Sequence, residues 1–140
     1  MSTAMSRRAA INVALGAAAA TVAAKGSARK RGPAKPPIVL YCDLKVDPAR
    51  QREMLDHFHG KFKPAGARFK GYIDLKMLKP RQVIQGDPLP RHLNYRFQLT
   101  YESEELRQIW IASDVHKALW PGIENTLIDK NFHVSLFDEV

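Results

Sequence analysis

From Ile38 to the C-terminus, apolar positions switch repeatedly between a period of two and a period of three to four. IVLYCDLKV (38–46) is rich in β-branched and large apolar residues. Its second half alternates Cys42, Leu44 and Val46 against Asp43 and Lys45, which predicts a half-buried strand. Asp47-Pro48 reads as a helix start, with Asp at the N-cap and Pro at N1, where its missing N–H costs nothing. The helix is carried by Met54, Leu55, Phe58 and Phe62 at 3/4 spacing, and Pro64 and Gly66 are expected to end it. In ARFKGYIDLKMLKP (67–80), Phe69, Gly71, Ile73, Leu75 and Met77 alternate with Lys70, Tyr72, Asp74 and Lys76, again a strand period. RQVIQGDPLPR (81–91) has the Gly and Pro content of a hairpin loop. HLNYRFQLTYES (92–103) resumes the alternation, with Leu93, Tyr95, Phe97, Leu99 and Tyr101 on one face and Asn94, Arg96, Gln98 and Thr100 on the other.

Ser103 is placed to cap a second helix, with Glu104 and Glu105 in the first turn, where the helix dipole favours them. Leu106, Ile109 and Trp110 follow at 3/4 spacing. Ser113-Asp114 predicts a second cap and a break or kink. Val115, Leu119 and Trp120 continue the apolar side, Pro121-Gly122 interrupts it, and IENTLID predicts a last short helix. NFHVSLFDEV (131–140) alternates Phe132, Val134 and Leu136 against His133, Ser135 and Phe137, a terminal strand. The order β-α-β-β-α-β is the ferredoxin-like split βαβ of the α+β class: a four-stranded antiparallel sheet with both helices on one face. The other face then has no cover within the chain. A core of ~100 residues is small, and an exposed apolar sheet face invites aggregation. A homodimer with two sheets face to face is therefore expected.

Charge changes the picture less than its total implies. The net charge is +8, but all 14 acidic residues lie beyond Leu40, where they nearly balance the basic ones. The excess sits on Arg7, Arg8, Lys25, Arg29, Lys30, Arg31 and Lys35. A basic footprint on the folded part is missing, so no nucleic-acid partner is expected. Residues 1–24 read as an export signal: Ser6-Arg7-Arg8 resembles the twin-arginine pattern, residues 9–24 are uncharged and mostly small, and Val22-Ala23-Ala24 offers small residues to a signal peptidase. The bulky apolar residue expected two places after the arginines is Ala10, so the match is partial. A transit peptide or a plain leader is the alternative. Residues 25–37 are basic and Gly/Pro-rich, a flexible linker. Residues 38–140 form the folded domain. The mature chain is expected in the periplasm or secreted, without a transmembrane segment, with the cytoplasm as the alternative.

Chemistry concentrates between Asn94 and Leu127, which hold both tryptophans and His116. No HExxH, CxxC, Walker or GxGxxG pattern occurs. His57 and His59 are two apart on a helix and point to different sides, against a metal site. The single cysteine, Cys42, excludes an intramolecular disulfide and reads as a small buried side chain.

The order of elements, together with the strands GYIDLKMLK and NYRFQLTYES and the helix SEELRQIWIASDVHKALW, resembles the antibiotic-biosynthesis monooxygenase (ABM) group of dimeric α+β barrels over residues 38–140. That group includes cofactor-free oxygenases of anthrones and quinols, haem-degrading enzymes and members without known activity. Trp110 and Ser113-Asp114-Val115 match the helix of the haem-degrading branch. Its axial histidine position falls on Trp120, however, and its asparagine falls near Cys42 or Asp43. Haem is therefore disfavoured and no cofactor is expected. The resemblance implies instead an enzyme: a cofactor-independent monooxygenase of a quinol- or anthrone-like aromatic molecule, with dioxygen as co-substrate. His116 would serve as the catalytic base. Trp110, Trp120, Tyr95 and Phe97 would wall the pocket, and Arg96, Asn94 or Asp43 would steer the substrate's oxygens. The alternative is a non-catalytic small-molecule-binding or stress-related dimeric α+β barrel. For Trp110 and Trp120 a core role, and for His116 a surface or capping role, stand beside these assignments.

Overall fold

In the computed structural model, β1 (Ile38–Leu44) lies inside a four-stranded antiparallel sheet of order β2-β3-β1-β4, with β2 Tyr72–Leu78, β3 Tyr95–Tyr101 and β4 His133–Asp138. This is the ferredoxin-like order that the alternation of elements predicts. The structure describes residues 35–140; the predicted export signal and most of the linker lie outside the described residues. Among the described residues no helix is long and apolar enough to cross a membrane.

The two inner strands bury one face. Ile38, Leu40, Cys42 and Leu44 of β1 and Tyr95, Phe97, Leu99 and Tyr101 of β3 are all buried, paired in register from Ile38 opposite Tyr101 to Leu44 opposite Tyr95. β2 departs from the predicted alternation. Tyr72 pairs with Tyr101 and Asp74 with Thr100, so the intervening Ile73 bulges out and is exposed, while Tyr72 packs against the core. The bulge follows Gly71, whose φ of +92° suits glycine and whose missing Cβ leaves room for Leu106.

The first helical segment begins as Asp47 caps Ala49 N–H, then runs through a 3₁₀ turn into α1 (Gln51–His57). It passes Pro64 and ends at Gly66, the second of the two expected stops. The turn Phe58–Phe62 widens so that Lys63 N–H bonds Phe58 O, and the chain continues through α2 (Lys63–Gly66). Pro64 has no N–H to give to Gly60, and the widened turn absorbs that loss. Met54, Phe58 and Phe62 face the sheet with no exposure. The second helical segment is broken twice, at both predicted places: α3 (Glu104–Ala112), α4 (Asp114–Leu119) and α5 (Pro121–Glu124). The last helix stops earlier than IENTLID implies. Leu127 instead bridges to Val46, and Ile128 N–H bonds Lys45 O.

All these helices lie on the Leu40–Phe97 side. Among the described residues nothing covers the outer face, but it is not the apolar face anticipated. Asp43, Arg96, Gln98, Thr100, Lys76 and Ser135 share it with Val39, Tyr41 and Phe137. Arg96 donates to both carboxylate oxygens of Asp43 (2.6 and 3.1 Å) and lies over the Tyr41 ring.

Candidate functional site

Two serine caps decide where the site's aromatic groups point. Ser103 Oγ accepts from Leu106 N–H and starts α3. Ser113 ends it: its hydroxyl donates to Trp110 O at 2.7 Å and accepts from His116 N–H at 3.1 Å. One side chain thus closes α3 and opens α4. The bend brings His116 back over the ring of Trp110, whose centroid is 5.0 Å away at nearly a right angle. Four residues on, Trp120 lies parallel to the imidazole, with centroids 6.0 Å apart and planes at 9°.

Between this aromatic group and the sheet is a cavity of about 180 Å³. Leu40, Cys42, Phe97, Leu99 and Val134 form its sheet side; Arg107, Trp110, Ile111, His116 and Trp120 form its helix side, with Phe132 beside β4. It is open to solvent on one side, and of the β4 residues Val134, in its lining, and Leu136, two residues on, are close to half exposed. Apolar cavities of ~150 Å³ enclose a benzene ring. This one therefore encloses one ring and lets a larger flat molecule project through the open side.

Burial holds His116 below its ordinary pKa, and the nearby Arg107 charge lowers it further, so its ring is neutral at pH 7. Burial also drives the Cys42 thiol up to about 12, with Asp43 adding to the rise and Arg107 opposing it. Cys42 is a neutral wall residue rather than a nucleophile. Among the described residues no carboxylate lines the cavity. Among the described residues no cluster of three or more His, Cys, Asp or Glu is arranged to hold a metal.

Of the residues singled out in the sequence, His116, Trp110, Trp120 and Phe97 meet in this cavity. Trp110 is also core, with 1 % exposure and its ring 4.8 Å from Phe69 and 5.6 Å from Phe62, so the two readings of it coexist. Tyr95, Arg96 and Asn94 do not line the cavity, for separate reasons. Tyr95 is on the buried face but towards the far end of β3, where its hydroxyl donates to Gln51 Oε1 at 2.8 Å. Arg96 points to the outer face by strand alternation and is engaged by Asp43. Asn94 precedes β3, and its amide clasps both backbone groups of Val46 at 2.8 Å, acting as an extra rung between chain segments. Arg107 is the lining residue that the sequence reading passed over. Its signal was present: it stands three and four residues before Trp110 and Ile111, on the same helix face.

No protein-family model matches the sequence, and no curated protein matches it. Solved structures do. A conserved protein from Methanosarcina mazei Go1 superposes with a TM-score of 0.60 at 16 % identity, over 76 % of this chain and 96 % of that one. A Caulobacter crescentus CB15 protein named "putative antibiotic biosynthesis monooxygenase" gives 0.59 at 19 %, over 76 % and 92 %. A dimeric ferredoxin-like protein of unknown function from Jannaschia sp. CCS1 gives 0.62 at 8 %, over 74 % and 99 %. At such identities the likeness is one of fold, and the fold is the ferredoxin-like α+β subunit found in structures that carry the antibiotic-biosynthesis-monooxygenase name.

Proposed function

We propose that the protein is a cofactor-independent monooxygenase of an aromatic small molecule with an acidic C–H or O–H, of the quinol or anthrone kind. The observation that carries this reading is the placement of a neutral, half-buried imidazole in an apolar, aromatic-walled cavity. The flat substrate enters from the β4 side and lies among Trp110, Trp120 and Phe97. A ring nitrogen of His116 takes the acidic proton, which the neutral form is ready to do at pH 7. The resulting carbanion is electron-rich and reduces dioxygen directly. For an anthrone, the methylene carbon becomes a carbonyl: one oxygen atom enters the product and the other leaves as water, with the substrate supplying all four electrons.

No haem or other cofactor is part of this proposal. The working unit we propose is a homodimer joined through the outer sheet face. Residues 1–24 are proposed to direct export to the periplasm or beyond.

Oxygen uptake by the purified full chain, with a panel of quinols and anthrones and no cofactor added, tests the reading. Uptake above autoxidation that falls by about two orders of magnitude in His116→Gln supports it, the range general-base loss brings. Uptake at the autoxidation rate with every substrate rejects it. A second reading, a small-molecule-binding barrel without turnover, is favoured by the small volume of the cavity; binding without uptake would establish it.

A further inference from the structure

Among the residues lining the cavity, one group carries a fixed charge. Arg107 lies on α3 one turn before Trp110 and Ile111, and its side chain is only 13 % exposed. Glu104 anchors one edge of the guanidinium: Nε donates to Oε1 at 2.6 Å and one terminal nitrogen to Oε2 at 2.8 Å. Gln108 also donates to Oε2, at 2.9 Å, and helps to hold the carboxylate. The remaining terminal nitrogen of Arg107 makes no hydrogen bond among the described residues. The guanidinium is therefore held in place through one edge and retains unused donors. Its charge is felt at Cys42 on the sheet side and at His116 on the helix side, so its field spans the cavity.

The surroundings magnify that charge. The other lining residues are apolar or neutral, and a positive group in a poorly hydrated cleft draws anions far more strongly than one in water. A guanidinium with free N–H groups suits an oxygen anion, because charge-assisted bonds are roughly twice as strong as neutral ones. Among the described residues no carboxylate lines the cavity, and Glu104, bound to one edge of the guanidinium, offsets only part of its charge.

We infer that Arg107 makes this cavity selective for flat aromatic molecules bearing an anionic oxygen substituent, a carboxylate or phenolate, seated against α3 while the ring lies against Trp110 and Trp120. The inference deepens the proposed function, since it assigns the charge of the molecule taken up at that same site. Binding does not require turnover, so the two claims fail separately.

The test is the affinity of the full chain for 2-naphthoate and for 2-naphthamide, which differ in charge but hardly in shape. Quenching of Trp110 and Trp120 reads binding at the cavity wall itself. We expect naphthoate to bind roughly tenfold more tightly or better, about 1.4 kcal/mol. Arg107→Met brings the two affinities together, whereas Arg107→Lys keeps part of the preference. Glu104→Gln removes the partner's negative charge and raises the preference, and this variant carries the test should Arg107→Met fail to fold. Equal affinities in the wild type, or a preference that survives Arg107→Met, overturn the inference, and so does an absence of quenching by either compound. A charge preference without oxygen uptake leaves the inference standing while the oxygenase reading falls. Uptake with equal affinities does the reverse.

Discussion

The His57 imidazole donates from Nε2 to the Leu119 carbonyl at 2.7 Å and fills the space where a Cβ on Gly122 would stand. In an uninterrupted helix, Ile123 N–H would bond Leu119 O. Here it bonds Trp120 O, because the chain turns at Pro121, and Leu119 O is left for His57. A histidine on α1 thus secures the bend that carries His116 and Trp120. Gly122→Ala is expected to cost ~1–3 kcal/mol by overpacking against the ring. His57→Ala, which strips the carbonyl of its partner, is expected to cost a similar ~1–3 kcal/mol. In the double variant the methyl occupies the space the ring has left, so its cost is less than the sum. Urea unfolding of the four proteins measures this; simple additivity would mean that the two residues do not share the space.

The two tryptophans are expected to behave differently. Trp110 is enclosed by Phe62, Phe69, His116 and Gly66, and truncation to Ala opens a core cavity worth ~3–5 kcal/mol. In a domain whose whole stability is ~5–15 kcal/mol, that is enough to lower the melting temperature severely. Trp120 is only partly buried, so Trp120→Ala should stay folded and lose mainly the cavity wall and ligand affinity. Thermal melts followed by circular dichroism decide it. A larger loss from Trp120→Ala than from Trp110→Ala would contradict the placement described.

What the sequence made legible was periodicity and capping. Strict alternation located β1 and β3, and Ser103 and Ser113 marked both ends of α3. The misses have local causes. Pro64 and Gly66 were both read as stops; a widened turn carries the helix past Pro64, and it ends at Gly66. Alternation through Ile73 was broken by one extra residue, which a binary pattern does not reveal. At the site, residues on the helix were found because their spacing alone brings them together. Tyr95, Arg96 and Asn94 were chosen by nearness along the chain, but their destinations depend on strand face and on partners far away: Gln51, Asp43 and Val46. Arg107 was passed over because a charged residue just after two glutamates and before a glutamine resembles an ordinary solvated helix face. Only tertiary packing turns it inward.

The outer sheet face offers a test of the proposed dimer. Val39 lies on it, paired with Thr100 on one side and Phe137 on the other, and the Tyr41 and Phe137 rings meet edge to face at 5.6 Å. A face of this mixed character supports a specific pairing better than general stickiness, because Asp43 and Arg96 are already satisfied within the subunit. The full chain is expected to sediment as a dimer at micromolar concentration. Val39→Glu places an unpaired charge in the middle of the face and should give a monomer with unchanged far-ultraviolet circular dichroism. A wild type that sediments as a monomer across that range would remove the dimer from the proposal.

The last prediction concerns pH. Burial, and then the Arg107 charge, lower the His116 pKa in the folded protein below its value in the unfolded chain. As pH falls through the ordinary histidine value of ~6.5, the unfolded chain takes up this proton first, so acid favours unfolding. The contribution of His116 to stability is therefore complete above that pH. It declines as pH drops towards the lowered folded value and levels off below it. His116→Gln has no such proton to bind, and the other titrating groups are common to both proteins. The stability of wild type relative to His116→Gln should accordingly be greater at about pH 8 than at about pH 5.5. Arg107→Met should weaken this dependence only in part, since burial is the larger cause. Urea midpoints across the range measure it, together with the titration of the His116 ring protons by NMR. A ring that titrates at or above the ordinary value would mean that the imidazole is solvated rather than held in the cavity, and the neutral base on which the proposed chemistry depends would be lost with it.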